Sequence, residues 1–190
     1  MKTLFFDVDT QLDFLYPAGA LYVPGAEEIV GTLGRLTKFA AAKGIQIVST
    51  MDAHSEDDPE FKSWPPHCVA GTAGQQKAAA TLVDKRVVLK EADEAQDAPQ
   101  ILVEKQSIDC FTNPNLSPLL ELIKPERIVL YGVATEVCVQ CAASGLLKTG
   151  ARIELVTDAI KGINEAAERE TIQRFQAQGG LTVKSSDVLA

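Results

Sequence analysis

Short apolar runs rich in β-branched residues recur along this chain, separated by segments whose apolar residues repeat with helical period. Strand-like runs fall at 3–8, 45–50, 101–104, 128–131, 152–157 and 181–184, with a shorter one at 87–89. Continuous apolar runs bounded by turn residues suit strands buried on both faces. Helical period is clearest over 26–43, where Ile29, Leu33, Leu36 and Ala40 share a face and Gly44 follows as a stop. Further helices are expected near 75–82, 115–123, 135–150 and 165–178, the last with Ala166, Ile172 and Phe175 turned inward. The alternation predicts a three-layer α/β/α sandwich around a mainly parallel, roughly six-stranded sheet. At 190 residues the chain suits a single domain over 1–190, with no internal repeat.

In open sheets of this kind, sites gather beyond the carboxyl ends of the strands. Residues 127–150 read as a buried strand, a small-residue turn (Gly132, Val133, Ala134, Thr135) and a helix. Thr135 suits the N-cap and Gly150 the stop. Cys138 then falls in the first helical turn, where unpaired N–H groups bias a thiol toward thiolate and could hold an oxyanion. Two other roles are open to it. It could be a small buried core residue. It could also be half of the Cys138-Val-Gln-Cys141 pair, a thiol-redox spacing.

Other strand ends carry chemistry too. Asp9 follows the first strand, as an acid at the carboxyl edge of the sheet or as an ordinary turn aspartate. Lys105 ends the run at 101–104, where a plain surface lysine is the alternative. Asp52-Ala-His54 follows the run at 45–50, and an extended x-spacing points both side chains one way. The only other histidine, His67, lies behind two prolines in Trp64-Pro-Pro-His67-Cys68. One aspartate and two histidines suit a divalent metal with open positions, and Glu60 is a candidate fourth ligand. Glu56, Asp57 and Asp58 read as solvated surface. The irregular stretch 53–100 reads as a site wall or lid.

Charge and termini exclude several classes. The formal net charge of -8 argues against nucleic acid or an anionic membrane as partner. The chain enters a strand almost at once, with no signal-peptide pattern and no apolar run long enough to span a bilayer. Four scattered cysteines point to a cytoplasmic protein with reduced thiols. No Gly-x-Gly-x-x-Gly follows any strand, which argues against a dinucleotide-binding domain.

The motifs together resemble the isochorismatase-like cysteine hydrolases, and among them the nicotinamidases. The resemblance covers essentially the whole chain. It is carried by Val8-Asp9-Thr-Gln11-Leu-Asp13-Phe14, by Gly19-Ala-Leu near Val23-Pro-Gly25, and by Asp52-Ala-His54. Trp64-Pro-Pro-His67-Cys68-Val, Lys105 and Gly132-Val-Ala-Thr135-Glu-Val-Cys138-Val complete it. It implies a catalytic triad of Asp9, Lys105 and Cys138, with a cis peptide at Val133–Ala134 beside the oxyanion site. It implies a metal at Asp52, His54 and His67, zinc first, with iron or manganese as alternatives. Glu60 or water would replace a ligand that many nicotinamidases place between the two histidines. It implies pocket aromatics at Phe14 and Trp64, a place in NAD salvage, and a homo-oligomer (dimer or tetramer).

The implied reaction is hydrolysis of a small amide, nicotinamide to nicotinate and ammonia, through a thioester on Cys138. The alternatives are another small amide or ureido substrate, or thiol redox chemistry at Cys138 and Cys141. One departure bears on the substrate. Nicotinamidases commonly follow the lysine with a longer segment containing Tyr-Ser-Gly-Phe, and here Lys105 leads into Gln-Ser-Ile-Asp-Cys-Phe-Thr-Asn-Pro.

Overall fold

The central strand, β1 (Thr3–Val8), alternates its side chains between two cores: Leu4, Phe6 and Val8 enter one, and Phe5 enters the other. The computed structural model describes all residues, Met1–Ala190. Beside β1 lie β2 (Gln46–Asp52) and β5 (Arg127–Val133). Beyond β2 come β4 (Gln100–Lys105) and the edge strand β3 (Arg86–Val88). Beyond β5 come β6 (Arg152–Lys161) and β7 (Leu181–Val183). Every pairing is parallel.

The sheet has seven strands rather than six, because the short run near 87–89 does pair, at Arg86–Val88. β6 also runs past the expected end at 157. The β5–β6 register shifts between Leu130 and Gly132, and pairing resumes at Gly132–Ile160 and Val133–Lys161.

Helices cover both faces. α1 (Leu12–Leu15), a 3₁₀ turn at Ala26–Ile29, α2 (Val30–Lys43) and α7 (Ser185–Val188) surround the core that holds Phe5. Leu33, Leu36 and Ala40 of α2 are fully buried there, and Gly44 closes the helix at a φ of 63°. The opposite core is covered by α3 (Ala92–Ala95), α4 (Leu116–Ile123), α5 (Gln140–Leu147) and α6 (Glu165–Ala177). No helix is long and apolar enough to cross a membrane.

Three local expectations change. The helix expected near 75–82 is only a 3₁₀ turn at Ala79–Thr81. Residues before it are held extended instead: Leu12 N–H bonds to Gln76 O, and Ala78 N–H to Thr10 O. Ala166 on α6 is exposed, and the buried positions there are Thr171 and Phe175. The helix after β5 opens with a π-type turn at Thr135–Val139, whose N-cap is Ala134 rather than Thr135.

Gly132 cannot be replaced by a residue with a Cβ. Its φ is 125°, and a Cβ there would lie 2.1 Å from the Val8 carbonyl oxygen. The chain leaves β1 toward β2 and later returns on the far side of β1 as β5, so the crevice opens at the carboxyl ends of these strands.

Candidate active site

Parallel register assembles the site. β2 and β4 pair Asp52 with Lys105, so both side chains leave the sheet on the same face. Lys105 is fully buried, which removes the surface-lysine alternative. Its ammonium lies 2.9 Å from Asp9 Oδ2, donates a short hydrogen bond to Asp52 Oδ1, and stands 3.8 Å from Cys138 Sγ. Asp9 sits just past β1 at a φ of 49°, with its Oδ1 accepting from Thr50 Oγ1 at 2.6 Å. The Val133–Ala134 peptide is cis. The Ala134 carbonyl accepts from the N–H groups of Val137 and Val139, each at 3.1 Å, while the Ala134 N–H has no acceptor in the protein.

The electrostatics differ from the expectation of a thiolate-biased cysteine. Burial raises the Cys138 thiol well above its usual range; Lys105 pulls it down, but Asp9 and Asp52 push it up. Burial also raises the Asp9 carboxyl, against the pull of Lys105. A carboxylate raised in this way is a better proton acceptor. Burial works against the Lys105 charge, but Asp9, Cys138 and Asp52 outweigh it and keep the ammonium protonated.

Beside Asp9, Lys105 and Cys138 lie Asp52, His54 and His67, all buried, with ligand atoms within 4.8 Å of one another. Nε2 of His54 and of His67 lie 3.8 and 3.7 Å from Asp52 Oδ2. His67 Nδ1 faces the Pro65 carbonyl at 2.7 Å, so its proton belongs there and Nε2 is left as the donor atom. His54 Nδ1 lies 3.0 Å from Asp58 Oδ2 without hydrogen-bond geometry, and His54 Nε2 is buried with no hydrogen-bond partner. An orphaned imidazole nitrogen facing a carboxylate and a second imidazole nitrogen fits a divalent cation. Burial pushes Asp52 up, but Lys105 and the two imidazoles hold it well below the usual carboxylate range.

The backbone brings the two histidines together. His54 N–H bonds to Cys68 O and Ala70 N–H to His54 O, a short parallel bridge. Three supporting residues had no such role in the sequence reading. Gln11 clamps the Asp52 main chain from both sides, donating to its carbonyl at 2.8 Å and accepting its N–H at 2.7 Å. Asp13 accepts the Cys68 N–H at 2.7 Å. Phe61 packs against both imidazoles, with ring centroids 5.3 and 5.7 Å away. Asp58 corrects the expectation of a solvated acidic cluster. The turn at Pro59–Lys62 folds it under His54, where it is buried, while Glu56 and Asp57 stay exposed. Glu60 is half-buried and faces the cleft but lies outside the ligand cluster.

The cleft over Cys138 is mostly apolar. Phe14, Trp64, Ile108, Val137 and Ile163 are among its walls, with Asp52, Glu60 and His67 at its polar side. The Phe14 ring lies 5.4 Å from the His67 ring. Cys141 faces away, into a different and open groove beside Asp109 and Phe111.

The isochorismatase domain family matches residues 3–187. A nicotinamidase of Escherichia coli is 24% identical over 181 residues, 83% of this chain and 82% of that protein. A zinc complex of a Pyrococcus horikoshii pyrazinamidase superposes with a TM-score of 0.84 at 28% identity, over 97% of this chain and 99% of that one. A Thermoplasma acidophilum N-carbamoylsarcosine amidase shares the fold, with a TM-score of 0.80 at 24% identity, over 97% of each chain. With the match running almost end to end, the chain belongs to the isochorismatase family and is nicotinamidase-like within it.

Proposed function

We propose that this chain hydrolyses a small carboxamide, nicotinamide first, to the carboxylate and ammonia through a thioester on Cys138. The observation that carries the reading is Lys105, whose one ammonium touches Asp9, Cys138 and the metal-facing Asp52. The named activities of the Escherichia coli and Pyrococcus horikoshii relatives support the substrate class.

Asp9 accepts the thiol proton as Cys138 Sγ bonds to the amide carbon, and the carbonyl electron pair moves onto oxygen. The N–H groups of Ala134 and Cys138 are the donors for that oxyanion. As it collapses, the C–N bond breaks and the proton on Asp9 passes to nitrogen, releasing ammonia. Water then attacks the thioester, Asp9 takes its proton, and the C–S bond breaks. The proton returns to sulfur and the carboxylic acid departs, losing its proton to water. Lys105 stays charged throughout and offsets the negative charge that shuttles between Asp9 and sulfur.

Asp52, His54 and His67 would hold the divalent ion, with zinc the first choice for two imidazoles and a carboxylate, and iron or manganese as alternatives. Bound there, it would supply a Lewis-acid anchor for the substrate's ring nitrogen. Phe14 and Trp64 line the cleft and offer flat surfaces to a ring. We place the protein in the cytoplasm, in NAD salvage, as a homo-oligomer; its four free cysteines suit reduced surroundings.

The test is ammonia release from nicotinamide by metal-loaded protein, with Cys138→Ala as the blank. Release that vanishes in the variant supports the reading. No release from a chain that still binds about one metal redirects the substrate to another small amide or ureido compound. The segment carrying Ile108 would then set what the cleft admits.

A further inference from the structure

Below the triad, two charged side chains are paired out of reach of water. Lys77 Nζ lies 3.1 Å from Asp7 Oδ2, and both side chains are buried. Asp7 Oδ2 also accepts from Ser49 Oγ at 3.0 Å and from Thr10 Oγ1 at 3.2 Å. Neither Asp7 nor Lys77 touches the thiol, the cleft or the metal cluster. A buried pair of this kind adds little net stability, because desolvation offsets the attraction. Its other contacts give it a direction.

Lys77 Nζ also donates a hydrogen bond, 2.9 Å long, to the Thr50 carbonyl. The same carbonyl accepts the Asp9 N–H at 3.2 Å, and the Thr50 hydroxyl donates to Asp9 Oδ1 at 2.6 Å. Thr50 therefore grips Asp9 at both its main chain and its carboxylate, and Lys77 fixes Thr50 from below. Asp9 needs that grip, because an aspartate at a φ of 49° keeps a left-handed conformation only when its neighbours hold it. The next residue, Thr10, is tied to the same cluster through Asp7 and through Thr81 Oγ1 at 2.9 Å.

We propose that Thr50 and Lys77, the latter oriented by Asp7, are positioning residues that aim the Asp9 carboxylate at Cys138. This inference rests on Asp9 being the proton acceptor proposed above. It concerns how that base is held, not which substrate it serves.

Three variants test it: Thr50→Val, Thr50→Ser and the paired exchange Asp7→Asn with Lys77→Met, which leaves no lone buried charge. The expected result for Thr50→Val and for the pair is a kcat on nicotinamide lower by about tenfold or more, with KM within about twofold. Thr50→Ser keeps the hydroxyl and should recover most of the loss. A substrate-free readout runs beside it: the rate of Cys138 alkylation by iodoacetamide, followed peptide by peptide by mass spectrometry. Thr50→Val and the pair should slow Cys138 toward the rate of Asp9→Asn, while Cys141 reacts as before. Parent-like kcat and Cys138 alkylation in Thr50→Val overturn the proposal, even should the pair fail to fold. If the parent leaves nicotinamide untouched, the substrate reading falls and the alkylation rates alone decide this one.

Discussion

Asp52 gives one carboxylate oxygen to each of two centres: Oδ1 accepts from Lys105, and Oδ2 faces the Nε2 atoms of His54 and His67. Triad and ligand cluster are thereby parts of one charge arrangement.

Lys105→Met separates the two roles. It leaves Asp9 and Asp52 buried without their shared cation, and breaking such a pairing costs about 3–5 kcal/mol. Turnover should fall to the blank and the urea midpoint should drop, while the metal ligands remain in place. Elemental analysis should still find about one metal per chain in the folded fraction. A variant with parent-like turnover would remove Lys105 from the mechanism.

Cys138→Ala removes the only thiol lining the apolar cleft. Ammonia release should be lost entirely, with far-UV circular dichroism and metal content unchanged, because Ala fills a helical position without strain. Cys141→Ala should keep full activity, since Cys141 faces a different groove. Loss of activity in Cys141→Ala, together with a Cys138–Cys141 disulfide trapped in the parent by a thiol-labelling mass shift, would favour the redox alternative.

Asp58 tunes the cluster from behind. Its Oδ2 lies 3.0 Å from His54 Nδ1, where it faces the side of the ring turned away from Asp52. Asp58→Asn should weaken zinc binding by about 10–100-fold, as loss of such a partner does elsewhere. His54→Ala should remove the metal altogether. Competition against a chromogenic chelator measures both, and an unchanged affinity in Asp58→Asn would show that His54 needs no such partner.

Without metal, stability should fall at alkaline pH. Burial pulls the His54 imidazole down, but Asp52 and Asp58 outweigh it and raise it from 6.5 to about 9. A folded-state value above the unfolded one gives stability that is complete below about 6.5 and is lost as pH rises through about 9. Zinc must displace that proton, so its affinity should climb over the same window. Urea midpoints of chelator-treated protein at about pH 6 and about pH 9.5 check the first statement. A midpoint that rises with pH would contradict it. Proton release on zinc addition checks the second.

What was legible in the sequence was local. Strand ends mark Asp9, Asp52, Lys105 and Cys138 because a strand, its turn and its side-chain direction are all decided within a few residues. The three-layer plan follows from the same alternation. What stayed hidden depends on distant chain. The thiol of Cys138 is raised rather than lowered because burial and two carboxylates from other strands outweigh a helix start. Asp58 looks like surface until the turn at Pro59–Lys62 carries it under His54. Lys77 falls in a stretch that reads as helix, and only that stretch's bonds to Leu12 and Thr10 make it extended and turn it inward. Ala166 shows the converse error: a helical stripe drawn from periodicity alone extends one turn beyond the surface it packs on.

The bridge between His54 and the segment after His67 is made of main-chain hydrogen bonds, and Asp13 pins the Cys68 N–H beside it. The triangle of ligands is thus drawn by the backbone, not by whatever ion sits in it. Exchange of one proposed cation for another should then be a matter of solution equilibrium, with no refolding step. If the cluster holds a divalent ion as proposed, a single preparation should accept zinc, iron or manganese in turn, and any difference among them would belong to the ion.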